Sequence, residues 1–328
     1  MRRSLLVLAL VVAGLAACGD NNHAGSNPPP DSGTGSAGGG SNPNEPPPVE
    51  MACATLPASA NTCDVTAGSS TILLKGNVLT PTNVYKGGQV LIGADGKIQC
   101  VGCDCSAGAD GATVLSCPEA SISPGLINVH DHITYDYHSP YNDTGERYED
   151  RQQWRTGKDQ RTVLSPEGKA SSDQISWAEL RFMMGGATSI SGSGGAAGLL
   201  RNLDKAEPLQ GGLNKPPVDF DTFPLDDTSG TRQTDNCNYG SGAMTGFAVA
   251  KLGAYEPHTS EGIDATAHNE FLCQSSRTYD TTAPGLSQYL IQPQTAMIHA
   301  VGLNAVNYGA MSAAKTSMVW SPRSNITL

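Results

Sequence analysis

Basic residues are scarce: 20 lysines and arginines stand against 31 aspartates and glutamates in 328 residues, a formal net charge of −11. They form no basic patch and no arginine-rich helix, so no nucleic-acid partner is expected. After the apolar run from Leu5 to Ala17 no second run of spanning length follows, so no transmembrane helix is expected in the body of the chain. Cysteine is sparse too. Eight cysteines beyond Cys18 are too few over this length for a disulfide-dense adhesion module.

What the N-terminus does carry is an export signal. Met1-Arg2-Arg3 supplies the basic start, Leu5 to Ala17 a short apolar core, and Leu15-Ala16-Ala17-Cys18 resembles a bacterial lipobox. Cleavage before Cys18 and lipid attachment to its sulfur are expected, giving residues 1–18 as a lipoprotein signal peptide with Cys18 as the anchor. Loss of Arg2 and Arg3 would take the net charge from −11 to −13. The implied location is that of an exported bacterial lipoprotein, held to a lipid membrane on the periplasmic side or at the cell surface. Residues 19–50, bracketed by Pro28-Pro29-Pro30 and Pro46-Pro47-Pro48, bury too little to offset their ordering entropy and read as a disordered tether. His23 lies in it and is not expected to be a ligand.

Export puts the remaining cysteines in an oxidising compartment. Cys53 and Cys63 flank a short polar loop and are expected to pair. Cys100, Cys103 and Cys105 are expected to form disulfides, Cys117 among the partners, rather than a zinc site. Residues 51–123 form a unit of their own: runs at Thr71–Gly76 and Gly88–Gly93, then an Asp95-Gly96 turn and a returning run Lys97–Val101, predict a small antiparallel β unit without helix.

From Pro124 the character changes. Gly125 to Val129 is a short apolar run closed by His130-Asp131-His132, which on a strand would place both imidazoles on one face. Neutral imidazole is a common zinc ligand, and two from one strand make half of a tetrahedral shell. Residues 134–172 form a long polar loop whose Tyr135, Tyr137, Tyr141 and Trp154 either cover a ring-shaped substrate or pack the loop. Asp173 to Met184 has helical spacing, with Ile175, Leu180 and Met183 on one side and Ser171 or Ser172 as cap. A strand over Gly185–Gly192, a turn-rich stretch from Leu199 to Asp235 and a helical composition at Ala243–Leu252 complete an alternating α/β pattern.

Two further predicted strands end in histidine. His258-Thr259-Ser260-Glu261 sets a carboxylate three residues past an imidazole, a pairing suited to metal binding with proton transfer. Ala296-Met297-Ile298-His299 is the second, and Ser317 to Val319 a last strand broken by Ser321-Pro322, with Asn325 beyond it. A histidine at the C-terminal end of a barrel strand reads as catalytic. His138 and His268 have no strand context.

Taken together and in order, these motifs resemble the metal-dependent amidohydrolase superfamily, in particular its cytosine-deaminase-like and triazine-hydrolase-like branch. Pro124–His132 is similar to that superfamily's first barrel strand, His258–Glu261 to its fifth, His299 to its sixth and Ser321–Asn325 to the loop after its seventh. The resemblance implies a (β/α)8 TIM-type barrel over residues 124–328, preceded by part of a small β-sandwich. It implies that His130, His132 and His258 hold one divalent metal, zinc first. Glu261 would shuttle a proton, and His299 would orient the nucleophile and stabilise the developing oxyanion. The implied function is hydrolysis of a non-peptide C–N bond in a small molecule. No lysine falls where a carboxylated bridging ligand is expected, Lys251 included, so a mononuclear site is implied. The superfamily's eighth strand carries a metal-binding aspartate, and no such strand follows Asn325. The expectation is therefore a barrel truncated before its last strand, with a catalytically inactive exported lipoprotein fragment as the alternative to an enzyme.

Overall fold

The computed structural model describes residues 46–327 apart from 140, 144, 165–167 and 281–285; the leader, Cys18, His23 and most of the tether lie outside the described residues. Six strands come first: β1 (Val49–Ala52), β2 (Asp64–Thr66), β3 (Ser69–Leu79), β4 (Asn83–Ile92), β5 (Ile98–Gly102) and β6 (Ala112–Ile122). They make one sheet in the order β1-β4-β3-β6-β2, and β5 shares the β4 edge with β1. The Asp95-Gly96 turn is where expected, with Gly96 at φ 76°, a conformation glycine adopts without steric cost. Leu73, Leu91, Cys105 and Ala112 form its core.

The unit is mixed, not antiparallel as the sequence suggested. β1 runs parallel to β4 and β3 parallel to β6, because residues 103–111 carry the chain back across the sheet before β6 begins. The same register overturns the expected Cys53–Cys63 disulfide. Asp64 pairs with Ser116, so Cys63 lies opposite Cys117 and bonds to it, with Cα atoms 4.2 Å apart. Cys53 and Cys103 leave β1 and β5 where these meet on β4 and form the second bond, and Cys100–Cys105 the third. The three-cysteine run forms disulfides as expected, but its outside partner is Cys53 and not Cys117.

The rest is α/β. In chain order it holds β7 (Leu126–Asn128), α1 (Arg151–Thr156), α2 (Ser172–Met184), β8 (Ala187–Ile190), β9 (Arg201–Asn202), β10 (Asp219–Asp221), α3 (Gly246–Val249), β11 (Tyr255–Thr259), α4 (Ala265–Ser275), β12 (Ala296–His299), α5 (Ala305–Ala313), β13 (Ser317–Val319) and α6 (Pro322–Thr327). The strands form two parallel sheets, β7-β8-β9 and β10-β11-β12-β13, each in chain order. The sheets meet where Val218 N–H donates to the Leu203 carbonyl at 2.8 Å. All five residues of β11 are buried, the pattern of a parallel strand covered on both faces. Among the described residues no helix is long and apolar enough to cross a membrane.

Helix α2 starts on a capping box: the Ser171 hydroxyl accepts from Gln174 N–H at 3.3 Å and the Gln174 side chain accepts from Ser171 N–H at 2.8 Å. Its buried side differs from the expected one. Leu180 and Met183 are exposed, while Ala178 packs with Ile133, Ile190 and Leu200. Buried Glu179 sets this rotation, accepting from Ala196 N–H, Leu200 N–H and Asn202 Nδ2 at 2.7, 3.0 and 3.1 Å. The helical composition at Ala243–Leu252 yields only the single turn α3.

Candidate metal centre

The strand that introduces the first two histidines is shorter than expected. β7 stops at Asn128, and His130 and His132 lie in the loop after it. They converge through hydrogen bonds, not through a shared strand face. Asp131 accepts from Asn128 Nδ2 at 3.0 Å and from His132 N–H at 2.7 Å, which folds the loop back on itself. His258 comes from inside β11, parallel to β12 and in register with Ile298.

The three Nε2 atoms meet: His130–His132 3.2 Å, His130–His258 3.1 Å and His132–His258 3.0 Å. Tetrahedral zinc with nitrogen donors at about 2.0–2.1 Å keeps those donors about 3.3 Å apart. The triangle is close to that size. Burial, joined by His132 and His299, pushes His130 down to about 3, and burial lowers His132 and takes His258 well below its usual range. All three are therefore neutral near pH 7, with lone pairs available to a cation. The residues fit a divalent metal. His130 Nδ1 lies 3.1 Å from Ser321 Oγ, and donation there leaves Nε2 as the bare nitrogen. Among the described residues His258 Nδ1 is buried without a partner.

His299 ends β12 beside this triangle, its ring centroid 5.3 Å from that of His130 and 5.2 Å from that of His258. Atoms of His130, His258 and His299 also lie within 4.8 Å of one another, close enough to hold a metal. Both nitrogens of His299 are already engaged, however. Nδ1 donates to Asn325 Oδ1 at 2.9 Å, an orientation set by Asn325 Nδ2 reaching the His299 carbonyl at 3.4 Å, and Nε2 faces Glu261 Oε2 at 3.4 Å. His130, His132 and His258 thus form one group around their Nε2 atoms, and Glu261 and His299 form a pair beside it. Ser260, His299 and Ala300 all have positive φ, 53°, 70° and 51°. Non-glycine residues held there mark stored backbone strain, which collects at functional sites.

A cavity of about 10 Å³, room for about one water, lies against His130, His132 and His258 and is also lined by Ser191, Phe220 and Glu256. Glu256 escaped the sequence reading. It sits two residues before His258 on β11, so strand alternation turns both to one side, and that spacing was the available signal. Its Oε2 accepts from Ser191 Oγ at 2.6 Å, and burial pushes its carboxyl up to about 7. A wider surface cleft of about 350 Å³ lies beside the turn after Glu261, lined by Asp264, His268 and Asn304 among others, and not over the histidines. The residues set aside stay apart. His268 bonds Asn307 at 3.0 Å, His138 stacks on Tyr137, Lys251 caps the Phe247 ring, and Tyr135 and Tyr141 are exposed.

The chain matches no protein-family profile and no curated protein. It is similar in fold to several solved structures. One is an adenosine deaminase from Xanthomonas campestris with bound zinc, 13% identical over 78% of this chain and 64% of that one, at a TM-score of 0.41. Another is a guanine deaminase from C. acetobutylicum with guanine in the active site, 14% identical over 79% of this chain and 69% of that one, at 0.43. A third is the atrazine chlorohydrolase from Arthrobacter aurescens complexed with zinc, 16% identical over 75% of this chain and 64% of that one, at 0.43. The chain thus spans 64–69% of the length of these proteins.

Proposed function

We propose that the protein is a metal-dependent hydrolase of non-peptide C–N bonds in small molecules, using one divalent metal, zinc first. In this reading the seven parallel strands belong to a (β/α) barrel whose C-terminal strand ends carry the site. The observation that supports it most is the convergence of His130, His132 and His258 beside the Glu261–His299 pair. A cation held there would supply Lewis acidity and would lower the pKa of a nearby water. His130, His132 and His258 bind it. Glu261 accepts the proton of the attacking water and passes it to the leaving nitrogen. His299, held by Asn325, orients the attacking water beside Glu261 and lies where the oxyanion develops. The short apolar leader, the Cys18 lipobox and four disulfides among the described residues support an exported, lipid-anchored protein.

The test is metal analysis with turnover on the full chain. Purified protein is expected to carry about one zinc per chain, and His130→Ala or His258→Ala to lose it. Glu261→Gln is expected to keep the metal while its kcat on an amide, amidine and cyclic-imide panel falls roughly 10²-fold or more. Unchanged metal content in the histidine variants would overturn the ligand set. A zinc-loaded chain inert toward the whole panel would overturn the hydrolase reading.

A further inference from the structure

We infer that Arg151, with Asp227 and Glu270, is the positioning device of this centre: it fixes the strip His258–Glu261 so that Glu261 faces His299. The inference rests on the hydrolase reading above. Arg151 is among the largest fully buried side chains, 2% exposed, though it opens the short helix α1 within the polar stretch where a loop was expected. Its Nη2 lies 2.7 Å from Asp227 Oδ2 and 3.4 Å from Glu270 Oε1. Its Nη1 donates to the Thr222 carbonyl at 2.9 Å and to the His258 carbonyl at 3.4 Å. The Arg151 backbone N–H donates to the Glu261 carbonyl at 2.9 Å, and Glu270 Oε2 accepts the Ser260 N–H at 3.0 Å. Three of the four residues from the metal ligand to the proton carrier are thus held by one cluster.

Two physical arguments favour a positioning role over a stabilising one. Desolvating a guanidinium and two carboxylates costs about what their attraction returns, so a buried ionic cluster adds little stability that apolar packing would not. What it does add is a fixed geometry. The planar fork of arginine reaches carboxylates and carbonyls at once, which the point charge of lysine does not. The second argument is local strain. Ser260 is held at φ 53° one residue before Glu261, a conformation that persists only where its surroundings enforce it. Here the enforcing groups are Glu270 on the Ser260 N–H and the Val301 N–H on its carbonyl at 3.0 Å. The strap extends on both sides. Asp150 pairs with Gly262 in a β-bridge, Ile263 N–H donates to the Glu149 carbonyl at 2.7 Å, and Arg232 joins Asp150 to Asp264 at 3.1 and 3.4 Å.

Amide hydrogen exchange tests this without activity, on the full chain loaded with cobalt(II). In Arg151→Lys and in Glu270→Leu, a peptide spanning 256–263 is expected to exchange about tenfold faster or more, while peptides of α2 and of the β unit keep wild-type rates. Glu270→Gln retains an acceptor for Ser260 and is expected to stay close to wild type. Cobalt stoichiometry should hold in all three. On any panel substrate turned over, kcat of Arg151→Lys and Glu270→Leu should drop about tenfold or more with little change in KM, the mark of a displaced proton carrier, and that of Glu270→Gln should stay near wild type. Unchanged exchange over 256–263, or exchange raised alike in every peptide, would overturn the inference. If Arg151→Lys does not fold, the Leu and Gln variants at Glu270 decide it. A wild-type chain that binds metal yet hydrolyses nothing defeats the hydrolase reading, and exchange still judges the strap.

Discussion

Glu256 is a buried carboxylate with no ion pair among the described residues and one hydroxyl donor, Ser191. Burial pushes its carboxyl from 4.5 to about 7. Between those values the folded chain holds a proton that the unfolded chain has released, so this group takes stability away as pH rises from about 4.5 through 7. Glu256→Gln keeps an acceptor for Ser191 and cannot ionise. It should therefore match wild type at pH 5 and exceed it at pH 8 by on the order of 2 kcal/mol. Thermal melts at the two pH values check this, and an equal shift at both would refute it. The histidines act with the opposite sign. His130 is pushed from 6.5 down to about 3, and His132 and His258 are lowered as well. Below about pH 6.5 the unfolded chain binds protons that the folded one refuses. The metal-free chain should lose stability steadily from pH 6.5 down toward 3. Replacing His258 with Asn should flatten that slope in urea titrations.

At the scale of elements, the contact between the strap and the turn after β11 can be probed without touching a charge. A Cβ at Gly262 would lie 2.5 Å from the Glu149 carbonyl oxygen and 2.8 Å from Asp150 Cα, whereas at Gly253 it would meet nothing within 4 Å. Gly262→Ala should cost about 1–3 kcal/mol in urea unfolding, and Gly253→Ala should change little. Equal effects would mean that the strap yields freely. The same region marks the limit of what the sequence disclosed. β12 was legible as a short apolar run, β11 only as the stretch leading into His258, and α2 from its helical spacing behind a serine cap. β9 and β10 were not, since two or three residues inside a turn-rich stretch carry no period. Among the candidate site residues, His130, His132 and His299 were legible because they close or follow apolar runs, and His258 and Glu261 because a carboxylate stands three residues past an imidazole. Arg151 was hidden for a physical reason: its partners Thr222, Asp227 and Glu270 come from distant loops and from α4, and nothing in the polar stretch around it marks it as buried.

Across the whole molecule, covalent and ionic cross-links divide between the two parts of the chain. Three disulfides staple the six-stranded unit, and two of them close loops of 50 and 54 residues, each worth about 4 kcal/mol in the chain-entropy account. The parallel sheets hold one disulfide, Cys237–Cys273. The histidine triangle spans the two sheets, which that disulfide does not, because His130 and His132 follow β7 of one sheet while His258 lies in β11 of the other, 128 and 126 residues away. A metal bound there, as proposed, would join the two sheets as a disulfide would, and would favour the folded state by RT ln(1 + [L]/Kd), about 4 kcal/mol at a thousandfold excess over Kd. Calorimetry should therefore resolve two transitions. A chelator should lower only that of the parallel sheets, by several degrees, because no metal ligand lies in the first unit. A reductant should lower both, and the first unit more, since it carries three of the four bonds. One cooperative transition that both reagents move by the same amount would show that the molecule unfolds as a single body. The metal would then act on all of it, and not as a clasp between the two sheets.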